Sequence, residues 1–408
     1  MFDHLDIYTP AERAAVGLAD TALSVASWPM RRLARRRRPA PPARVLLLRL
    51  ERIGDLLMTL GAIREVRALA PDAQIDLVVG TWNAPLAALI GEVSRVETID
   101  ANWLARGAHA TSVSGLVARA ASWRSRHYDL AVNFEGDIRS HGLMALSGAT
   151  RRVGHAHAGG GPFLTDVVAH DSGRHVAANA LALVERAFDL TPGALPDPLT
   201  STASPLWRLT VPDDARRAAR AMLAQLSGRV DGPLLAVHAP GGRLVKQWPV
   251  ERFGEAAAAL AREIGATVLL TGAPGDEAIV NDVELRVAAS GVATARVVAT
   301  DLVLLAAALQ QSTLLLTGDT GPMHLAAAVG TPVLAVFGPS MPWRYSPIVA
   351  DHRIVRVDLP CSPCNRIRVP PARCQGHSPD CLTSVTVAEV VSAGRSLVAG
   401  QGLAARSS

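Results

Sequence analysis

The stretch LLLTGDTGPMHLAAAVGTPVLAVFGPS, residues 314–340, decides the fold. Leu314–Thr317 is a short apolar run closed by glycine, the pattern of a strand covered on both faces. Gly318-Asp319-Thr320-Gly321 then breaks the run. Pro322 suits the first turn of a helix, where its missing N–H would be unpaired in any case. PVLAVFG (332–338) is a second buried strand, so the segment reads as strand, turn, helix, strand, a unit that makes parallel pairs.

The alternation recurs outward from this point. PLLAVHAP (233–240), ATVLLTG (266–272) and ARVVA (295–299) are strand-like runs separated by helical segments, and so are RVLLLRL (44–50), QIDLVVG (74–80), RVETID (95–100) and DLAVNF (129–134) in the first half. Between the two series, roughly residues 192–232, lie a Pro/Ser/Thr-rich linker and the capped helix PDDARRAARAMLAQL. The expected fold class is α/β, with two parallel Rossmann-like domains. At 408 residues the chain is too long for one ordinary core. Aromatics are only 4% while Val, Leu and Ala dominate, which argues against an all-β architecture. The boundaries follow: an arm at 1–43, a first domain at 44–200, a second at 201–350, and a Cys-rich loop with a C-terminal helix at 351–408.

The arm carries an Ala-rich helical stretch, the run RRLARRRR and a proline spacer. Six arginines between Arg31 and Arg38 account for the whole net charge of +5, so the body is near neutral. The run fits either a solvated tail or a contact with an anionic membrane surface. Nucleic acid is not expected, since no aromatic interleaving and no reader motif accompany the charge. No stretch reaches the ~18 apolar residues of a membrane span, and no secretory leader opens the chain. The expected location is the cytoplasm, with peripheral attachment to the inner face of the cell membrane through the arm.

Open α/β sheets bind ligands at the carboxyl ends of their strands, and two such domains facing each other enclose a cleft. Four loops there carry chemistry. The helix after Gly318 offers unpaired amides and about half a positive charge to a diphosphate, with Thr320 and Gly321 at its start, Asp319 before it and His324 on its first turn. HAPGGRLVKQWP (238–249) places Lys246 in a strand-to-helix loop as a mobile positive charge. LLTGAPGDEAIV (269–280) puts Asp276 and Glu277 at another helix start, where a carboxylate can bind ribose hydroxyls or cap the helix. In the first domain RLERIGDLLMTL (49–60) sets Arg52, Gly54 and Asp55 at a strand end, and Asp55 is the candidate general base. Neither a full dinucleotide fingerprint nor a P-loop occurs.

Together these segments, from about Arg44 to Pro347, resemble glycosyltransferase family 9, the heptosyltransferase family of lipopolysaccharide core assembly. The Asp-Thr-Gly-x-x-His-Leu motif at Asp319–Leu325 carries the resemblance most specifically. It implies the two-domain GT-B fold and an inverting transferase that needs no catalytic cofactor. Asp55 would be the base; Lys246 (with Trp248), Glu277, Asp319, Thr320, Gly321 and His324 would serve the nucleotide-sugar donor. Arg52 and Arg139 would lie on the side of a glycan or glycolipid acceptor. Where the family usually bears Gln-Gly, this chain has Glu135-Gly136. Heptose from ADP-heptose is the expected sugar. Two other readings remain open from the sequence: a sugar-nucleotide epimerase or hydrolase of the same fold, and a non-catalytic docking protein.

All four cysteines fall within 21 residues, as Cys361-x2-Cys364-x9-Cys374-x6-Cys381. The cluster reads as a structural zinc or iron knuckle, with redox pairing or free thiols as alternatives.

Overall fold

Short runs of Val, Leu and Ile bounded by turn residues become strands with almost no exposed side chains, because helices cover both faces of each sheet. The computed structural model describes residues 2–33, 41–104, 111–227, 232–298 and 301–400, with side chains of 27–33 and 226–227 left aside. Two units separate at Ser201/Thr202.

In the first unit α1 (Pro10–Leu33) precedes β1 (Arg44–Arg49), the short α2 (Ile53–Leu57) and α3 (Leu60–Leu69). Next come β2 (Gln74–Val79), α4 (Ala84–Ala87), β3 (Arg95–Thr98), α5 (Val113–Ser122) and β4 (Leu130–Asn133). α6 (Ile138–Leu146), β5 (Arg151–His155), β6 (Asp166–Val168) and α7 (Val176–Ala187) complete it. The sheet is parallel throughout, in the order β3-β2-β1-β4-β5-β6.

The second unit runs α8 (Asp213–Ser227), β7 (Leu234–His238), α9 (Val250–Ile264), β8 (Thr267–Gly272), α10 (Glu277–Ala289) and β9 (Thr294–Val298). It continues through α11 (Leu302–Gln310), β10 (Leu314–Gly318), α12 (Gly321–Val329), β11 (Val333–Val336) and α13 (Pro342–Tyr345). β12 (His352–Val355), α14 (Asp380–Thr383) and α15 (Val387–Gly400) end it. Its order, β12-β11-β10-β7-β8-β9, is the first sheet's topology over again, read from the other edge. Both sheets therefore have the doubly wound order of a dinucleotide-type domain, with a switch point between β1 and β4 in one and between β7 and β10 in the other. The α/β, two-sheet expectation is met.

Three strands escaped the sequence reading. RRVGH (β5), DVV (β6) and HRIV (β12) are short, polar and toward the outer end of their sheets, so they lack the apolar run that marks a central strand. β12 and α15 also bring residues beyond 350 into the second unit: α15 supplies Val390, Val391, Leu397 and Val398 to a core built around Trp248, Phe253 and Leu260.

The N-terminal residues are likewise tied to the first unit. Asp6 N donates to His157 O at 2.7 Å, and Asp20 Oδ1 accepts the Gly160 amide at 2.8 Å. Gly160 has φ +86°, and a Cβ there would sit 2.8 Å from the Ile138 backbone, so only glycine fits. The expected membrane contact rests on Arg31–Arg38. That run lies outside the described residues, apart from the helical backbone of 31–33. Among the described residues no helix is long and apolar enough to cross a membrane.

Candidate active site

In the second unit the switch point is where β7 and β10 diverge, with Thr317 paired to His238 in register. Thr317 Oγ1 donates to His238 O at 3.1 Å and lies 3.1 Å from Thr320 Oγ1, which closes the turn ahead of α12. Thr320 is the N-cap, but no side-chain oxygen caps the helix. Three functional groups meet just before it. Lys246 Nζ is 2.6 Å from Asp319 Oδ2, and Ser340 Oγ donates to the same oxygen. Asp319 is 8% exposed. Burial alone would raise its carboxyl, but the Lys246 ammonium, the Ser340 hydroxyl and the nearby His324 hold it below the usual range. Asp319 thus orients the lysine rather than reaching into solvent, and Ser340 joins a site that the sequence reading had not extended that far.

Gly318 lies against the Lys246 loop: a Cβ there would stand 3.4 Å from Lys246 O, an ordinary packing distance. Trp248 is fully buried, its ring edge-on to Phe253 at 5.0 Å and its Nε1 donating to Val385 O at 3.1 Å. It anchors the Lys246 loop from behind. His238, at the end of β7, is buried against Thr271 Oγ1 at 3.1 Å, and burial lowers its pKa to about 4, so it is neutral at ordinary pH. Glu277 and Asp276 both close the turn before α10: Glu277 Oε2 accepts the Gly275 amide and Asp276 Oδ2 the Ala273 amide, each at 2.9 Å. Each keeps one further carboxylate oxygen beyond those bonds.

The first unit has its own cluster at the β1/β4 switch point. Asp55 sits at the third position of α2 and accepts the Arg52 amide at 3.1 Å, a helix-start contact. Arg49, 3% exposed, donates to Phe134 O at 2.8 Å and lies 3.1 Å from Glu51 and 3.4 Å from Asp55. It is the buried cation of the cluster; as the last residue of an apolar strand it gave no signal in the sequence. Arg52 stacks over Trp82 with 5.5 Å to the ring centroid and donates to Leu104 O at 2.8 Å. Arg139 stands over Trp103, 5.1 Å from its centroid, so the two arginines flank the segment 103–104. Arg139 also pairs with Asp137 at 3.1 Å and with Glu12 of α1 at 3.6 Å. Beside it a cavity of about 680 Å³ is lined chiefly by apolar side chains, among them Trp103, Leu116, Leu143 and Phe163.

Glu135 is the unusual member. It is 4% exposed; Oε1 accepts the Leu50 amide, while Oε2 is buried with no hydrogen-bond partner. Burial first, then the charges of Glu51 and Asp137, push its carboxyl well above the usual range against the pull of Arg49.

The four cysteines line a cavity of about 420 Å³ together with Val245 and Pro339. All are free thiols, and Cys381 is pushed up to about 11 by burial, with the other three cysteines adding to the rise. Among the described residues no three metal-type ligands converge closely enough to hold an ion.

Residues 118–371 match the family model described as glycosyltransferase family 9 (heptosyltransferase). The chain belongs to that family. It is therefore a glycosyltransferase, and the docking-protein reading falls away. Lipopolysaccharide heptosyltransferase 2 of Escherichia coli K12 is 26% identical over 315 residues, 75% of this chain and 85% of that protein. The structure of E. coli ADP-heptose lps heptosyltransferase II superposes with a TM-score of 0.69 at 20% identity, covering 88% of this chain and 99% of the other. The iron-containing dodecameric glycosyltransferase TibC of enterotoxigenic E. coli H10407 gives a TM-score of 0.52 at 12% identity, covering 88% and 77%. These likenesses identify the fold as GT-B.

Proposed function

We propose that this glycosyltransferase moves a heptose from ADP-heptose onto a hydroxyl of a lipopolysaccharide-type acceptor, with inversion at the anomeric carbon. The observation that carries the donor assignment is the meeting of Lys246, Asp319 and Ser340 ahead of the uncapped N-terminus of α12. A diphosphate there would take the helix amides and the lysine ammonium as its counter-charge. Heptose as the sugar is supported by the family and by relatives named for heptose transfer.

In the reaction the acceptor oxygen forms its bond to the anomeric carbon as the bond from that carbon to the diphosphate oxygen breaks. Asp55 takes the acceptor proton, and the electron pair leaves on ADP, whose charge Lys246 and the α12 amides stabilise. Glu277, Thr320, Gly321 and His324 complete the donor contacts, while Arg52 and Arg139 serve the acceptor. No metal takes part in transfer. The four cysteines, which line one cavity, are the place where a structural zinc or iron ion would be held. The arginine run Arg31–Arg38 keeps the enzyme at an anionic membrane surface.

Asp55→Ala should abolish transfer and leave ADP binding intact, measured by calorimetry beside a transfer assay. Full activity in that variant would remove Asp55 from the mechanism. Chromatography of the products with acceptor withheld separates transfer from epimerisation or hydrolysis.

A further inference from the structure

Two loops leave the first sheet side by side, because Arg49 at the end of β1 is in register with Val79 at the end of β2. The turn Thr81–Asn83 reaches over the β1–α2 loop and puts two side-chain donors on one carbonyl: Trp82 Nε1 is 2.8 Å and Asn83 Nδ2 2.9 Å from Glu51 O. The turn is itself fixed. The Asn83 amide donates to Gly80 O at 2.8 Å, and Thr81 donates through its amide and its hydroxyl to the two carboxylate oxygens of Asp100, each at 2.9 Å. A Cβ on Gly80 would fall 2.3 Å from the Trp82 ring and push the indole off its acceptor. Asn83 is fully buried, and its Oδ1 takes no hydrogen bond among the described residues. A buried amide with half its capacity unused costs stability, which points to a task other than holding the fold together.

Glu51 O and the Arg52 N–H are the two ends of one peptide group, which is planar, so anchoring the oxygen fixes the direction of the N–H. That N–H is the one that holds Asp55 Oδ2, at 3.1 Å. The other carboxylate oxygen, Oδ1, lies 3.4 Å from Arg49. We infer that Asn83 and Trp82 are positioning residues for Asp55: by holding Glu51 O they set the plane of peptide 51–52, and with it the direction in which the carboxylate meets the acceptor hydroxyl. The inference rests on Asp55 as the base proposed above. Two donors on the carbonyl also polarise the peptide and strengthen the donation from its N–H. The two residues divide the task. Trp82 carries Arg52 over its ring and so serves the acceptor side as well, whereas the side chain of Asn83 acts through Glu51 O alone among the described residues.

The test uses variants of the full chain, with donor and acceptor varied separately in steady-state transfer assays. Asn83→Leu keeps the bulk and removes the donor; Trp82→Phe keeps a ring under Arg52 and removes the indole N–H. Each should lower kcat about tenfold, one hydrogen bond's worth, and leave both KM values within about twofold of wild type. ADP affinity, read by calorimetry, should not change. The double variant, which leaves Glu51 O without either donor, should fall further. A merely structural role would lower the melting temperature and leave the kcat of the folded enzyme alone. Wild-type kcat in both single variants overturns the inference, and so does an acceptor KM that rises while kcat holds, since the loop would then serve binding. Where Asn83→Leu does not fold, Trp82→Phe decides by the same readings. Asp55→Ala run beside them separates the two assignments: an active Asp55→Ala removes the base and this inference with it, whereas a dead Asp55→Ala beside Asn83→Leu and Trp82→Phe at wild-type kcat removes the positioning role alone.

Discussion

Replacing Glu135 by glutamine should stabilise the protein increasingly as pH rises. The side chain is buried, its Oε2 has no partner, and its carboxyl is raised by burial and by Glu51 and Asp137. In the unfolded chain a glutamate ionises near 4.3. A folded-state pKa above that value gives stability that is fully present below pH ~4 and is lost as pH climbs toward the folded value, because only the unfolded state releases its proton in that window. The slope is about 1.4 kcal/mol per pH unit while the window lasts. Glutamine keeps the oxygen that accepts the Leu50 amide and has no proton to lose. The advantage of Glu135→Gln should therefore grow by up to about 1.4 kcal/mol per unit from pH 5 upward, or roughly 3–5 °C in the transition of a unit this size. Thermal scans of both proteins at pH 5, 6, 7 and 8 measure it. A constant difference across that range would show that the buried acid titrates normally, and a less stable glutamine variant at every pH would show that the acid proton has a partner that the amide cannot replace.

The remaining expectations concern the other buried charges. His238, with its pKa lowered to about 4 by burial, contributes stability present above pH ~6.5 that is lost as pH falls toward 4, about 3 kcal/mol in all; His238→Gln should flatten that acid limb of the stability curve. Arg49→Met leaves Glu51 and Asp55 without their buried cation and should cost ~3–5 kcal/mol, read by urea unfolding followed through the first unit's tryptophans. Asp319→Asn strips the counter-ion from Lys246 in the ligand-free protein, so the variant should melt lower, but ADP should raise its melting temperature more than it does the wild type. An ADP-induced rise smaller than wild type would mean that Asp319 binds the donor directly.

The parallel sheets were legible because their central strands are short apolar runs closed by turn residues, and the same feature marked the loops worth searching. Lys246, Asp319 and Asp55 could be picked out as charged residues just past such strands. What the sequence could not convey is which charges meet. Lys246 and Asp319 are 73 positions apart in the chain, 319 less 246, and become partners because β7 and β10 are neighbours at the switch point. Arg49 looked like a strand residue, and its role appears only when β4 brings Phe134 O and Glu135 alongside. The polar strands β5, β6 and β12 were missed for a related reason: their pairing comes from sheet neighbours rather than from their own apolar content.

Glu135 joins these strands of reasoning. Read as a sequence it is a charged residue where the resemblance leads one to expect glutamine, a departure that leaves the identity of the acceptor open. In the fold it is a carboxyl held on the backbone of Leu50 where burial and two neighbouring carboxylates oppose ionisation. A neutral acid there can accept through one oxygen and donate through the other, as an amide does. Through Oε1 the side chain holds the Leu50 amide of the β1–α2 loop that carries Arg52 and Asp55. If Arg139 serves the acceptor as proposed, its neighbours Trp103 and the apolar cavity beside them are where acceptor choice is to be tested.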